Sequence, residues 1–271
     1  MSEIGVTPSG LVYEIAGSGP PLLLLHAGLM DRRMWDPQWP VLAERFTAIR
    51  YDARGFGQSA DPDRPYSLHG DALEVLEAAG VEAAAAVVGV SMGGATALDL
   101  ALAAPSRVSS LVVVSSEPSG WEHSPEIIRQ LEAADAAFAR GDLDAANELE
   151  LRIWVDGPLR SADRVDPALR RQIAASNRVL LERAAEIEHE PFELEPPASE
   201  RLHELRQPTL VVTGELDQPS VLDGAFAIIA AAGARHVEIP DAGHLPNLER
   251  PREFLEALLI FLEEIAPASA P

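Results

Sequence analysis

The chain has 271 residues, with 43 acidic against 21 basic side chains and a formal net charge of −22. A surface this acidic repels the phosphates of nucleic acids and of anionic lipids, and no basic cluster offsets it, so neither is an expected partner. The sequence contains no cysteine, which excludes disulfides, thiolate metal sites and a cysteine nucleophile.

Short apolar runs alternate with helical patterns along the first and last parts of the chain, which predicts a mostly parallel sheet with helices on both faces. The predicted strands, in chain order, are 11–16, 22–25, 47–51, 85–90, 111–114, 209–213 and 236–239. The predicted helices that alternate with them are 36–45, 68–79, 92–103, 221–232 and 252–265. A core of this size needs no metal or disulfide to fold.

The stretch 117–200 interrupts this alternation of strands and helices. It is rich in alanine, glutamate and arginine, and its spacing predicts three or four helices, at about 126–140, 143–154, 167–188 and near Ser199. We therefore predict one α/β core formed by residues 1–116 and 201–271, with residues 117–200 inserted as a helical lid.

A strand-to-helix turn carries the pattern Gly-x-Ser-x-Gly, from Gly89 to Gly93. An apolar strand enters the turn and an alanine-rich helix leaves it, which places the hydroxyl of Ser91 at the tip. The N-terminus of that helix favours developing negative charge. Ser91 is therefore a candidate nucleophile, and the alternative is a glycine-rich turn with an incidental serine.

A serine hydroxyl needs a base, and the base needs a group that orients it. His244 lies between the last predicted strand and the last helix, at the sheet edge where ligands bind in open α/β folds. Asp217 follows the preceding strand, which gives the chain order serine, aspartate, histidine. Two glutamates remain alternatives for the acid: Glu215 nearby, and Glu117 after the strand 111–114.

Acyl transfer also needs two amides that bind the oxyanion. The amide of Met92, directly after the candidate nucleophile, is one candidate. The loop after the strand 22–25 supplies the other, and there we favour Gly28, with Leu29 as the alternative donor. His26 in the same loop is interpreted as a structural residue that binds the loop backbone.

The lid is expected to supply part of the wall of the substrate pocket. The candidate wall residues are Leu29, Trp121, Phe138 and Trp154. The aromatic residues would equally well pack a small core within the lid. Three lid arginines could meet a substrate carboxylate or pair with surface glutamates: Arg129, Arg152 and Arg178. No cluster of histidines and carboxylates has metal-ligand spacing, so no metal or other cofactor is expected.

Together these segments resemble the α/β-hydrolase family over nearly the whole chain. The turn 89–94 resembles the elbow of enol-lactonases, small esterases and cofactor-free haloperoxidases. The oxyanion loop resembles the family's His-Gly loop, with Ala27 in place of the usual glycine. Residues 52–59 are similar to its D-x-R-G-x-G-x-S turn, which we interpret as a structural element that holds a loop near the site. Segments 241–244 and 249–251 resemble its histidine segment.

The resemblance implies a serine hydrolase that cleaves small carboxylic esters or lactones, with Ser91 as nucleophile, His244 as base and Asp217 as orienting acid. In the lid, residues 152–158 resemble a segment of the 3-oxoadipate enol-lactonase branch. The same groups would serve carbon–carbon bond hydrolysis or perhydrolysis, and a ligand-binding protein without catalysis is a further alternative. We expect a cytoplasmic protein, because residues 1–10 lack the features of a signal peptide.

Overall fold

The structure is a computed structural model that describes residues 2–187 and 189–265. The described residues contribute eight strands to one sheet: β1 (Glu3–Val6), β2 (Val12–Ala16), β3 (Pro21–Leu25), β4 (Thr47–Tyr51), β5 (Ala86–Val90), β6 (Leu111–Val114), β7 (Thr209–Gly214) and β8 (Arg235–Ile239). Their order is β1-β2-β4-β3-β5-β6-β7-β8. Strands β3 to β8 run parallel, whereas the β1–β2 and β2–β4 pairs are antiparallel.

The α-helices of the described residues are α1 (Trp39–Arg45), α2 (Leu68–Ala78), α3 (Met92–Ala103), α4 (Pro125–Ala139), α5 (Leu143–Leu151), α6 (Pro167–Ala184), α7 (Ala198–Arg201), α8 (Pro219–Ala232), α9 (Pro246–Glu249) and α10 (Pro251–Ile265). Helices α4 to α7 all lie between β6 and β7, where the sequence predicts the lid. Within the described ranges, no helix combines the length and the apolar character needed to cross a bilayer.

Successive apolar side chains of the central strands point to opposite faces of the sheet. Leu22 and Leu24 pack in the core that contains residues of α1 and α10. Leu23 and Leu25 pack in the opposite core, with residues of α2, α3 and α8. Because both faces of β3 are buried, its sequence is a continuous apolar run, which is why such runs predict parallel strands.

Several elements differ from the sequence-based prediction, among them β1, the short helix α9 and α5. Strand β1 is not predicted, because it is an edge strand whose Ile4 and Val6 are exposed and which therefore lacks a burial pattern. The helix predicted over 143–154 ends earlier: α5 stops at Leu151, and Arg152–Asp156 form a π-helical turn. The predicted end of the third lid helix, at residue 188, and the C-terminal tail lie outside the described residues.

Candidate active site

The turn between β5 and α3 holds Ser91 in a backbone conformation with positive φ, at φ of 53° and ψ of −119°. A residue other than glycine persists there only where the surrounding structure enforces it. A Cβ on Gly89 would lie 2.0 Å from the carbonyl oxygen of Gly93, and a Cβ on Gly93 would lie 2.6 Å from the carbonyl oxygen of Leu25. The two glycines thus allow strand and helix to cross closely enough to form this turn.

Ser91, His244 and Asp217 form one hydrogen-bonded chain. Nε2 of His244 lies 2.8 Å from Oγ of Ser91, and Nδ1 of His244 lies 2.9 Å from Oδ1 of Asp217. Asp217 follows β7 and His244 precedes α9, so both groups come from the carboxyl edge of neighbouring strands. Only 1% of Asp217 and 5% of His244 are exposed, so water competes little for these hydrogen bonds.

The surroundings of His244 raise the pKa of its imidazole. Burial alone lowers this pKa, but the adjacent carboxylate of Asp217 and the charges of Glu117 and Glu249 outweigh that effect. Trp154 of the π-helical turn lies against the ring, with 4.7 Å between the ring centroids. These charges favour the protonated form of His244, and Trp154 packs against its ring.

The two glutamates considered as alternative acids have other neighbours. Glu215 is exposed and accepts a hydrogen bond from the amide of Asp241 at 3.0 Å. Oε1 of Glu117 lies 3.4 Å from Nε2 of His123. Asp217 is thus the carboxylate that the structure places at Nδ1 of the candidate base.

Two backbone amides beside Ser91 are free to bind an oxyanion. Within the described part of the chain, the amides of Met92 and Gly28 have no hydrogen-bond acceptor. Met92 is the first residue of α3, a position whose amide has no acceptor within its own helix. Gly28 is adjacent, since a Cβ on it would lie 3.9 Å from the Cβ of Met92. The side chain of Leu29, the alternative donor residue, packs into the core, and its amide likewise has no acceptor among the described residues.

Hydrogen bonds of two side chains, His26 and Asp52, hold the loop that carries Gly28 in place. His26 donates from Nδ1 to the carbonyl oxygen of Ala27, and its Nε2 accepts from the amide of Ala53, each at 2.9 Å. Burial lowers the pKa of His26, which is consistent with a neutral ring making both contacts. Asp52 accepts from the amide of Arg32 at 2.8 Å, so the turn 52–59 also anchors this loop.

A cavity of about 120 Å³ opens beside the candidate nucleophile. Besides Ser91 itself, its wall includes Met92, Ser116, Glu117, Trp154, Val221 and His244. The volume is well below the roughly 300–1,000 Å³ typical of sites for drug-sized ligands. The cavity therefore suits a small ligand group.

Residues 20–251 match the family model described as "alpha/beta hydrolase fold". The chain belongs to the α/β-hydrolase family. A protein of Azorhizobium caulinodans, provisionally named carbamate hydrolase RutD, is 33% identical over 94% of this chain and 96% of its own length. The 3-oxoadipate enol-lactonase 1 of Acinetobacter baylyi is 27% identical over 92% of this chain and 90% of its own.

Among solved structures, a hydrolase from Pseudomonas aeruginosa PA01 superposes on this chain with a TM-score of 0.77 and 31% identity. The superposition covers 96% of this chain and 98% of that protein. The fold predicted from the α/β-hydrolase motifs is thus confirmed.

The helical insertion between β6 and β7, the predicted lid of this α/β-hydrolase, contributes one of its candidate aromatic residues to the cavity, Trp154. The structure corrects the expectation for the other wall residues. Phe138 packs in a small cluster within the lid with Leu181, because the apolar face of α4 is turned towards α5 and α6. Leu29 is buried in the core, and Trp121 packs near Gly224 of α8.

The three candidate arginines lie in ion pairs of the lid. The pairs are Arg129 with Glu126, Arg152 with Glu148, and Arg178 with Asp144 and Glu182. Among the described residues, the cavity wall includes no arginine or lysine and instead includes the carboxyl group of Glu117. From the sequence, Glu117 is predicted to lie at this edge of the sheet, after β6, but only as an alternative acid.

A buried ion pair connects the lid to the loop of the candidate base. The guanidinium of Arg160 lies 2.5 Å from the carboxylate of Glu249, and the two side chains are 6% and 7% exposed. Arg160 also donates to two carbonyl oxygens of the π-helical turn, at 2.8 and 3.0 Å. Glu249 accepts from the amide of Gly243 at 3.0 Å. The pair thus joins the turn that carries Trp154 to the loop that carries His244, a connection that the sequence motifs do not predict.

Proposed function

We propose that this α/β-hydrolase is a serine hydrolase that cleaves small carboxylic esters or lactones through an acyl-enzyme. The observation that carries the proposal is the hydrogen-bonded chain of Ser91, His244 and Asp217 beside two unpaired amides. His244 takes the proton of Ser91 as Oγ attacks the carbonyl carbon. The amides of Met92 and Gly28 bind the resulting oxyanion.

The tetrahedral intermediate then collapses, and His244 gives its proton to the leaving oxygen. A water molecule, deprotonated by the same imidazole, attacks the acyl carbon, and the carboxylic acid leaves as Ser91 regains its proton. Asp217 keeps Nε2 of the imidazole directed at the serine and stabilises the imidazolium formed in each half-reaction. The raised pKa of His244 supports this role.

The size of the cavity and the names of the relatives support the substrate class. A cavity of about 120 Å³ has room for a short acyl chain. One relative is named as a lactonase and another, provisionally, as a carbamate hydrolase. Both names describe cleavage at an acyl carbon bonded to a heteroatom, which is the reaction that a serine, a base and an oxyanion site perform.

The test is labelling by a fluorophosphonate probe together with hydrolysis of p-nitrophenyl acetate and butyrate. Ser91→Ala should abolish labelling and lower kcat by about 10⁴-fold or more. The matched control is Ser116→Ala, a serine of the same cavity whose hydroxyl donates to the carbonyl oxygen of Ser91. We expect this control to retain labelling. Turnover by Ser91→Ala above 1% of wild type, free of contaminating wild-type enzyme, would overturn the assignment.

A further inference from the structure

A carboxyl group without a hydrogen-bond donor lies in the reactive cavity. Glu117 follows β6, next to the strand that ends at Ser91, and its side chain forms part of the cavity wall. The side chain is 20% exposed, and its buried Oε2 has no partner among the described residues. A buried acceptor without a donor is costly, and native structures retain few of them. The position beside Ser91 suggests that a ligand provides the donor.

The backbone around Glu117 is closely packed. A Cβ on Gly224 of α8 would lie 2.5 Å from the Cβ of Glu117, so α8 approaches this residue as closely as a glycine allows. Burial raises the pKa of the Glu117 carboxyl, and the charge of Asp217 raises it further, against the opposing effect of His123 and His244. A ligand that brings a donor or a positive charge would relieve the cost of this burial.

The protein itself supplies no strong partner for this carboxyl. His123 approaches Oε1 only to 3.4 Å and leaves Oε2 unpaired. Nδ1 of His244 is already occupied by Asp217, so Glu117 does not orient the base. The lid arginines that could have neutralised it are paired elsewhere.

We propose that Glu117 binds a hydrogen-bond-donating or cationic nitrogen on the acyl part of the substrate. The enzyme then prefers small esters or lactones of amino-substituted acids and rejects acyl groups that carry a second carboxylate. This inference rests on the proposed ester or lactone hydrolysis at Ser91, and it defines the substrate class of that same site.

The test compares three methyl esters of similar size at pH 7: methyl 3-aminopropanoate, methyl butyrate and monomethyl succinate. They carry a positive charge, no charge and a negative charge, respectively, and acid release measures kcat/KM for each. Glu117→Gln keeps the shape of the side chain and removes its charge. Glu122→Gln, five residues further along at an exposed position, removes the same charge from the molecule but not from the cavity.

In the wild type we expect the amino ester to be cleaved at least as fast as the butyrate and much faster than the succinate. Glu117→Gln should lower the ratio of amino ester to butyrate, and raise the ratio of succinate to butyrate, by about tenfold or more each, because two charges a few ångströms apart interact strongly at low effective dielectric. Glu122→Gln should leave both ratios within about twofold, as expected for a screened surface charge.

Three outcomes separate this inference from the proposed function. If the wild type cleaves methyl butyrate in a Ser91-dependent manner but Glu117→Gln leaves both ratios unchanged, the inference is wrong and the hydrolase assignment stands. If the wild type cleaves the succinate as fast as the amino ester, the inference is wrong, and no measurement on a variant is needed to show it. If the wild type neither cleaves the butyrate nor reacts with a fluorophosphonate, the proposed function fails and the inference fails with it.

Discussion

The protonation state of His244 controls the proposed reaction, because only the neutral imidazole can take the proton of Ser91. The pKa of His244 is raised above the ordinary value of 6.5. The plot of kcat/KM against pH should therefore rise through a midpoint above 6.5. Asp217→Asn removes the charge nearest the ring, so the midpoint should move to lower pH while kcat falls by about 10⁴-fold. Hydrolysis of p-nitrophenyl butyrate across the pH range measures both effects.

The control for this prediction is Glu215→Gln, which alters a carboxyl two residues before Asp217. Glu215 is exposed and bonded to the amide of Asp241, so neither the midpoint nor kcat should change by more than about twofold. A midpoint in Asp217→Asn equal to that of the wild type would contradict the assignment of Asp217 as the charge that sets the pKa of His244.

The positions of the reacting residues could be predicted from the sequence because backbone geometry constrains them. The turn at Ser91 requires glycines on both sides, and Asp217 and His244 each follow a strand of a parallel sheet. The pocket wall could not be predicted as well. Phe138 lies in the alanine-rich helix α4 and Trp154 in the π-helical turn after α5, and their sequence leaves undecided which side chain turns to the cavity and which to a neighbouring helix.

Among the secondary-structure elements, the π-helical turn 152–156 carries Trp154, which lies against the ring of the candidate base. Arg160→Met removes the buried cation that connects this turn to Glu249 and leaves that carboxylate unpaired, which typically costs about 3–5 kcal/mol of stability. We expect a lower Tm and a loss of about tenfold in kcat/KM as Trp154 loosens over His244. The unneutralised charge of Glu249 should also raise the pKa of His244 further, so the midpoint of the pH profile should move to higher pH.

A suitable control for this prediction is Arg152→Met, within the π-helical turn itself. The side chain of Arg152 is 66% exposed, and its ion pair with Glu148 is a surface pair worth about 1 kcal/mol or less. This variant should keep the wild-type activity and midpoint. If Arg160→Met lowered only the Tm and left the pH midpoint in place, the ion pair would be a stabilising contact without influence on the base.

The elements themselves were predictable to the extent that burial leaves a pattern in the sequence. Central strands such as β3 and β5 are buried on both faces and appear as continuous apolar runs. Strand β1 lies at the sheet edge with its apolar residues exposed, so no such pattern marks it. The π-helical turn continues directly from α5 and differs from it in the hydrogen bonding, which a periodicity of 3.6 residues does not resolve.

At the scale of the whole molecule, the net charge of −22 creates a field that opposes the approach of anions. For monomethyl succinate, kcat/KM should therefore rise about two- to threefold between 10 and 500 mM NaCl as the surface charges are screened. For methyl butyrate, which carries no charge, the same salt series should leave kcat/KM unchanged. A salt-independent rate with the succinate would show that the surface field does not reach the cavity entrance.

The salt series also separates the surface field from the local charge of Glu117. The Debye length falls from about 30 Å at 0.01 M to about 3 Å at 1 M, so salt screens the exposed charges but acts much less on a carboxyl inside the cavity. Glu117→Gln should retain the rise in succinate turnover with salt, because 42 of the 43 acidic residues remain. The discrimination that persists at high salt should be smaller in this variant than in the wild type. If high salt alone made the wild type as tolerant of the succinate as Glu117→Gln, the selectivity would belong to the surface and not to the cavity.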